Sequence, residues 1–328
     1  MKVYDVPTLV DKFMDKQYLL NMGKGKLSNY FDVTKGEIAR AKTIARNKLQ
    51  FGTEYHPSEV AFKRKPIINF PKILIFDVET TPSVVYTFGR FKQNIAYNHV
   101  ERESLLLTWS AKWLYSTEII SDKLTSEEVL REDDSRIVMS LWDLINEADI
   151  VVAHYGDGFD IPFLSVRAVI NQLPPFISVR SIDTKKVTQF NFKFPSNKLD
   201  ALGTYFGVGN KIDTDMELWI QCTKGNQEAI DEISRYNDQD VILLEEVYLK
   251  LRPWIKSHPN IGMYLEKEES VCSCCGSDNI KLQANRFYYT QTTKYPIYRC
   301  NDCGGLTRGR KTVLSKEVGK ALGTSIPR

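Results

Sequence analysis

The chain has 328 residues, 42% hydrophobic and 26% charged, with a net charge of +3; the proportions are globular, the length calls for two or three modules, and no apolar run approaches the ~20 residues that span a bilayer. Collagen-like, wholly disordered and membrane-spanning classes are excluded, and Met1 to Lys16 lack an apolar signal core, so a cytoplasmic protein with reduced cysteines is expected. The charge is uneven: residues 1–66 carry 13 Lys+Arg against 7 Asp+Glu, residues 271–328 carry 10 against 3, and the 204 residues between carry 21 against 31. Basic ends around an acidic centre fit ends that touch a polyanion and a centre that gathers carboxylates, although scattered surface charge gives the same totals.

The first segment reads as helical. Lys26 to Phe31 is a short amphipathic run, Asp32-Val33 a turn, and Thr34 to Glu37 a capping-box pattern that opens a second helix. That helix is expected to display Lys35, Arg40, Lys42, Arg46 and Lys48. The pattern resembles the helix-turn-helix of many bacterial DNA-binding modules; a basic helical hairpin that only packs on the next domain is the other reading. Residues 50–71 are loop-like, with His56-Pro57 and Lys63-Arg64-Lys65-Pro66 as breakers, and a domain boundary is placed there.

Ile73-Leu74-Ile75-Phe76 reads as a buried strand, followed by β-rich stretches over Val84 to Phe91 and Leu105 to Trp113. Helices are expected over Ser135 to Asn146, Phe159 to Ile170 and Gln227 to Leu251, with a short strand Ile150 to Val152 between the first two. Strands followed by alternating helix and strand predict an α/β fold, a mixed sheet with helices on its faces.

Three acidic elements lie on this frame. Asp77 and Glu79 follow the first strand, and at a spacing of two they project from one face, which is unstable without a cation. Phe159-Asp160 opens a helix after the Gly156-Asp157-Gly158 turn; an acid there also suits the helix dipole alone. Tyr236 and Asp240 share a helix face with Ile233, Leu244, Val247 and Leu251, so a carboxylate lies on the stripe that packs against the sheet and needs a metal, a base or a hydrogen-bond partner. Asp157, Asp183 and Asp238 read as loop or surface acids.

The ordered set Asp77-x-Glu79, Phe159-Asp160 and Tyr236-x-x-x-Asp240 resembles the three motifs of the tyrosine-type DEDD 3′→5′ exonucleases, above all the proofreading domain of family B DNA polymerases and stand-alone relatives with an RNase H-like fold. Lys198 to Leu202 and Tyr205 to Val208 fit the family's segment between the second and third motifs, and the likeness covers about residues 70–253. Tyr155 stands where many relatives have an Asn four residues before the Phe, a departure from the family's pattern in that loop. The resemblance implies an RNase H-like sheet and two-metal phosphodiester hydrolysis. Asp77, Glu79 and Asp240 would hold one Mg²⁺ or Mn²⁺, Asp77 would bridge to a second supported by Asp160, and Tyr236 would orient the attacking water.

Five of the six cysteines lie between 272 and 303. Cys272-x-x-Cys275-Gly and Cys300-x-x-Cys303-Gly are two knuckles separated by 24 residues, the spacing of a structural four-thiolate Zn²⁺ site. Cys274 reads as a spare thiol and Cys222 as a core residue. Arg286 to Thr290 and Tyr295 to Arg299 read as the hairpin of a zinc ribbon, which resembles ribbons attached to some transposases and phage nucleic-acid enzymes. The expected nucleic-acid contacts are Lys35, Arg40, Arg299, Arg308, Arg310 and Lys311; a ribbon that only staples the C-terminus is the alternative.

The expected organisation is a basic helical module over 1–66, the nuclease domain over 67–256, the ribbon over 270–312 and a tail over 313–328. The expected function is a stand-alone 3′→5′ exonuclease with two catalytic Mg²⁺ or Mn²⁺, one structural Zn²⁺ and DNA as the favoured partner. An exoribonuclease on the same core and a non-catalytic nucleic-acid-binding recruitment protein are the other readings.

Overall fold

The run Ile73 to Phe76 begins the strand around which the first unit is built. The structure, a computed structural model, describes residues 6–16, 27, 31, 33, 38, 41, 42, 45, 70–177, 179–209, 215–324 and 326. The chain divides into two units, Met1–Gly52 with Lys72–Tyr248, and Thr53–Pro71 with Leu249–Arg328. In chain order the elements are α1 (Val6–Asp15), β1 (Ile73–Thr80), β2 (Val84–Val85), β3 (Val100–Arg102), β4 (Leu106–Trp113), β5 (Ile120–Lys123), α2 (Ser126–Arg131) and α3 (Ser135–Asn146). They continue with β6 (Ile150–Ala153), α4 (Asp160–Ile170), β7 (Arg180–Asp183), α5 (Thr184–Asn191), α6 (Leu199–Phe206), α7 (Met216–Thr223) and α8 (Gln227–Leu251).

The main sheet has the order β5-β4-β1-β6-β7. β1 pairs antiparallel with β4 and parallel with β6, and β6 pairs parallel with β7. Alternation along the strands gives the sheet two unlike faces. Leu74, Phe76 and Val78 of β1 and Leu107, Trp109 and Ala111 of β4 join Ile137, Val138, Leu141 and Ile145 of α3 in one apolar core; Trp109 Nε1 also donates to the Ile137 carbonyl at 3.0 Å. On the other face, Thr108, Ser110 and Lys112 of β4 are buried polar groups. Ser110 Oγ donates to Asp238 Oδ1 at 2.6 Å, and Lys112 forms a buried ion pair with Glu245, both acids being on α8. Burial of such groups requires partners, so this polar row fixes α8 to the face that carries Asp77 and Glu79.

β1 is longer than its apolar run. Asp77 and Glu79 lie within it, opposite Ser110 and Thr108, because ladder pairing with β4 carries the strand on after its side chains become half-buried. The helices expected at Ser135 to Asn146 and Gln227 to Leu251 have those bounds, and that expected from Phe159 starts at Asp160. Within Val84 to Phe91 only Val84 and Val85 are strand. Thr87 and Gly89 form a local turn through the Thr87 hydroxyl, which ends the extended chain that the β-rich composition suggested.

At the N-terminus, Leu9, Val10, Phe13, Leu27, Phe31, Ile38, Ala41 and Ala45 form one buried cluster, with Phe13 and Phe31 edge to face at 6.1 Å. Lys42 is 6% exposed. It therefore belongs to the packed side of its helix, contrary to the expectation that it is displayed. Lys35, Arg40, Arg46, Lys48 and the capping pattern Thr34 to Glu37 lie outside the described residues.

The second unit contains α9 (Gly262–Leu265), β8 (Ile280–Tyr289), β9 (Lys294–Cys300), β10 (Leu306–Arg308) and α10 (Lys316–Ala321). Its three strands form an antiparallel sheet of order β10-β9-β8. Among the described residues no helix is long and apolar enough to cross a membrane.

Candidate active site and metal centres

The parallel ladder of β1 and β6 runs from Ile73↔Ile150 to Ile75↔Val152. Past it, the Val78 N–H donates to Asp160 Oδ1 at 3.2 Å. The opening lies beyond the carboxyl end of β6, the usual place for a ligand in an open α/β sheet. A cleft of about 430 Å³ occupies it, lined by Asp77, Glu79, Asp160, Asp200 and Asp240, by Lys185 and Lys198, and by His154, Tyr155 and Phe159 among others.

Three elements deliver the acids. β1 presents Asp77 and Glu79 on one face, and α8 brings Asp240 up to them, so that one carboxylate oxygen from each lies within 4.8 Å of the others. Asp240 is 2% exposed. Ile233, Tyr236, Leu244, Val247 and Leu251 of the expected stripe are buried with it. Asp160 starts α4 at 3% exposure. Burial pushes its carboxyl up to about 7, and the nearby charge of Asp183 adds to the rise. Carboxylates held this close suit a hard divalent cation, since oxygen-only donors favour Mg²⁺ or Mn²⁺ over softer metals. Tyr236 is 6% exposed one turn before Asp240 and is not among the lining residues.

Several site residues were not singled out by sequence. Asn237 is fully buried, and its Nδ2 donates to Asp77 Oδ2 at 2.7 Å. Lys185 places its ammonium 3.9 Å from the centre of the Tyr155 ring. His154 is held at both ring nitrogens, by Thr184 Oγ1 and the Asn197 carbonyl, each at 2.9 Å. Lys198 and Asp200 fall in the segment matched to the family, but nothing in their spacing marks them as cleft residues.

The turn before α4 is fixed by Gly158 and Tyr155. A Cβ on Gly158 would come within 2.4 Å of the Tyr155 ring, and Tyr155 itself has φ +79°. The Tyr155 N–H donates to Asp183 Oδ1 at 3.1 Å. Asp183 also accepts from the Lys186 N–H at 3.0 Å, capping α5, and is 5% exposed. It is a buried brace rather than a loop or surface acid. Asp238 is half-buried under Ser110, while exposed Asp157 accepts from Ser181 Oγ and Lys186 Nζ.

In the second unit the two knuckles are built alike. The Gly276 N–H donates to the Cys272 carbonyl at 2.8 Å and the Gly304 N–H to the Cys300 carbonyl at 3.0 Å. Both glycines have positive φ, +71° and +77°, which a residue without Cβ adopts freely. Cys272, Cys275, Cys300 and Cys303 bring their sulfurs together, with Cys272 and Cys303 Sγ 3.5 Å apart and Cys275 and Cys300 Sγ 3.7 Å apart. Thiolates about 2.3 Å from a tetrahedral Zn²⁺ lie roughly 3.8 Å from one another, so the four sulfurs fit that ion. Contact with Cys272 holds the Cys275 thiol far below its ordinary range and pushes Cys300 and Cys303 up, as expected of a cluster that cannot carry four charges unaided. Cys274 is buried beside the set and Cys222 lies in the main core. All six cysteines are free of disulfides.

The expected ribbon contacts are unlike one another. Arg299 donates to the Gly304 carbonyl at 3.1 Å and so braces a knuckle. The Arg308 guanidinium lies 5.3 Å from the Tyr288 ring centre and 4.7 Å from that of Tyr295. Arg310 and Lys311 are exposed.

No curated protein matches the chain. Among solved structures, the family B DNA polymerase of the hyperthermophilic archaeon Pyrobaculum calidifontis matches at 18% identity and a TM-score of 0.42, over 60% of this chain and 26% of the polymerase. The chain thus aligns with about a quarter of that polymerase's length. The RNase H superfamily model matches residues 74–252, the segment that holds β1 from Leu74 on, the cleft and all of α8, and the chain belongs to the RNase H superfamily.

Proposed function

We propose that the protein is a metal-dependent 3′→5′ exonuclease that hydrolyses phosphodiester bonds of DNA. The observation that carries this reading is the convergence of Asp77, Glu79 and Asp240 from two elements, with buried Asp160 in the same cleft. The first three would hold one Mg²⁺ or Mn²⁺ and Asp160 would support a second; such ions, when bound, activate water and stabilise the leaving 3′-oxygen.

The chain's own groups do the remaining work. Asn237 fixes one oxygen of Asp77, which orients the other toward the cleft. Lys185 and Lys198 offset part of the charge of five lining carboxylates, so that a phosphate can approach. Phe159, 41% exposed at the cleft wall, offers a ring face to the terminal base, and Tyr155 beside it carries the Lys185 ammonium on its ring. Tyr236, on the Asp240 side of α8, is assigned to orient the attacking water. Residues 1–66 and the ribbon over 270–312, with Arg308, Arg310 and Lys311, are assigned to grip the substrate outside the nuclease domain over 67–256.

Digestion of end-labelled single-stranded DNA, duplex DNA and RNA with Mg²⁺ or Mn²⁺ tests the proposal. Products shortened from the 3′ end, lost in Asp77→Ala and Asp240→Ala, are expected. Internal cuts alone, or activity undiminished in Asp77→Ala, would overturn it, and faster digestion of RNA would move the substrate to the exoribonuclease class.

A further inference from the structure

Between β2 and β3 the chain leaves the body of the first unit in an arm that displays large rings. Phe88, Tyr97, Phe91 and Tyr86 are 106%, 89%, 78% and 66% exposed. Large rings left in water forgo the gain of burial, and several of them on one short segment mark a binding surface. The backbone beneath them is ordered by its own hydrogen bonds. The Thr87 hydroxyl donates to the Gly89 carbonyl, Gln93 Nε2 donates to the Phe91 carbonyl at 2.8 Å, and the Tyr86 N–H donates to the His99 carbonyl at 2.8 Å where the arm closes.

The charge on the arm has one sign. Residues 84–100 contain Arg90 and Lys92 and no Asp or Glu, and both cations are exposed. The first acid after them, Glu101, meets the Tyr86 hydroxyl at the arm's base. In the ribbon, by contrast, Arg308 covers Tyr288 and Tyr295, and Lys294 lies 3.8 Å from the Phe287 ring centre. On the arm Lys92 lies 5.4 Å from the Phe91 ring centre, while among the described residues no cation covers Phe88 or Tyr97, and rings interleaved with cations in this way are the pattern of a surface that stacks bases while attracting phosphates.

We infer that residues 86–97 form a stacking surface for single-stranded nucleic acid, which holds the strand outside the cleft. The inference rests on the exonuclease reading for the purpose of that strand. The arm is rooted close to the acids: Tyr86 follows Glu79 by seven residues, which limits their separation to about 25 Å even in fully extended chain. A strand whose 3′ end enters the cleft meets the arm a few nucleotides upstream, where stacking is indifferent to sequence because every base has a ring face.

The test is the affinity of the full chain for a dye-labelled single-stranded oligonucleotide in EDTA, which separates binding from cleavage. The variant Phe88→Ala, Phe91→Ala, Tyr97→Ala changes exposed groups only and is expected to bind at least about tenfold more weakly, with an unchanged melting temperature. Phe88→Trp with Phe91→Trp is expected to bind as wild type and to report stacking by quenched fluorescence. Arg90→Gln with Lys92→Gln is expected to lower the salt slope by about 0.7 per cation. Wild-type affinity in the triple variant would overturn the inference. So would a wild-type dimer that the triple variant converts to monomer at unchanged oligonucleotide affinity, which would make the arm a self-association surface. If the arm variants lose affinity while wild type cleaves nothing with any divalent ion, the arm stands and the exonuclease reading falls.

Discussion

Asn237 Nδ2 donates a 2.7 Å hydrogen bond to Asp77 Oδ2 across 160 residues of sequence, joining α8 to β1 at the candidate metal ligand itself. The Asn237 Oδ1 is buried without a protein hydrogen-bond partner. An unpaired buried carbonyl is costly, and an apolar residue would avoid the cost if the position served packing alone. Asn237→Leu is expected to keep the fold, which Ser110–Asp238 and Lys112–Glu245 also hold, while weakening Mn²⁺ affinity by about 10–100-fold. Calorimetric titration with Mn²⁺ measures this, and unchanged affinity would reduce Asn237 to a packing residue.

Asp160 poses the opposite balance. Its carboxyl, pushed up to about 7 by burial, is a charge that the metal-free protein bears at a cost. Asp160→Asn keeps an oxygen for the Val78 N–H and removes the charge. In EDTA at neutral pH the variant is expected to melt several degrees above wild type, since each kcal/mol is worth roughly 2–4 °C in a domain of this size. Its Mn²⁺-dependent nuclease activity is expected to be lost. Thermal melts with EDTA and with Mn²⁺ read both effects.

Arg136 clamps two carboxylates away from the cleft. Its Nε and Nη2 donate to Glu128 at 2.7 and 3.0 Å, and its Nη1 donates to both oxygens of Asp122 at 2.8 Å. The guanidinium holds the Glu128 carboxyl at about 2. Because this pKa is lowered on folding, the contribution is complete above pH ~4.5 and is lost as pH falls toward 2. The pair is partly exposed, so Arg136→Gln is expected to cost no more than about 1 kcal/mol at pH 7. The two stability curves should converge at low pH in urea melts; a constant difference across pH would exclude the ion pair as the cause.

The ribbon separates two neighbouring thiols. One Zn²⁺ per chain is expected on metal analysis. Cys275→Ser should lose it, because its sulfur is one of the converging four. Cys274→Ser should retain it, because that buried thiol stands outside the set. Release of zinc is expected to unfold the three-stranded sheet, whose small core is the cysteine cluster with Ile280. Loss of zinc in Cys274→Ser alone would reassign the ligands.

Local spacing made much of this readable in advance. Two Cys-x-x-Cys-Gly repeats carry the geometry of a tetrahedral thiolate site within themselves, because ligand spacing and glycine conformation are local. The stripe through Ile233, Asp240 and Leu251 likewise marked the buried face of α8, because a 3.6-residue period determines which side chains share a face. The acids themselves lay in order along the chain.

Other features depended on contacts that no local pattern contains. Asp183 has the composition of a surface acid, yet the Tyr155 and Lys186 amides draw it inside. Lys42 lies on a strongly basic segment but on its packed side. Val84 to Phe91 has the composition of a strand, yet strand pairing ends at Val85 and the chain beyond exposes its rings. Residue order alone therefore determined the chemistry available to this protein: carboxylates on a strand and two helices, thiols on two knuckles, cations at the ends. Tertiary structure decided which groups meet. Three carboxylates converge because α8 is held to β4 by Ser110–Asp238 and Lys112–Glu245 and to β1 by Asn237–Asp77, pairings that span more than a hundred residues and follow from the packing of buried polar groups rather than from any spacing along the chain.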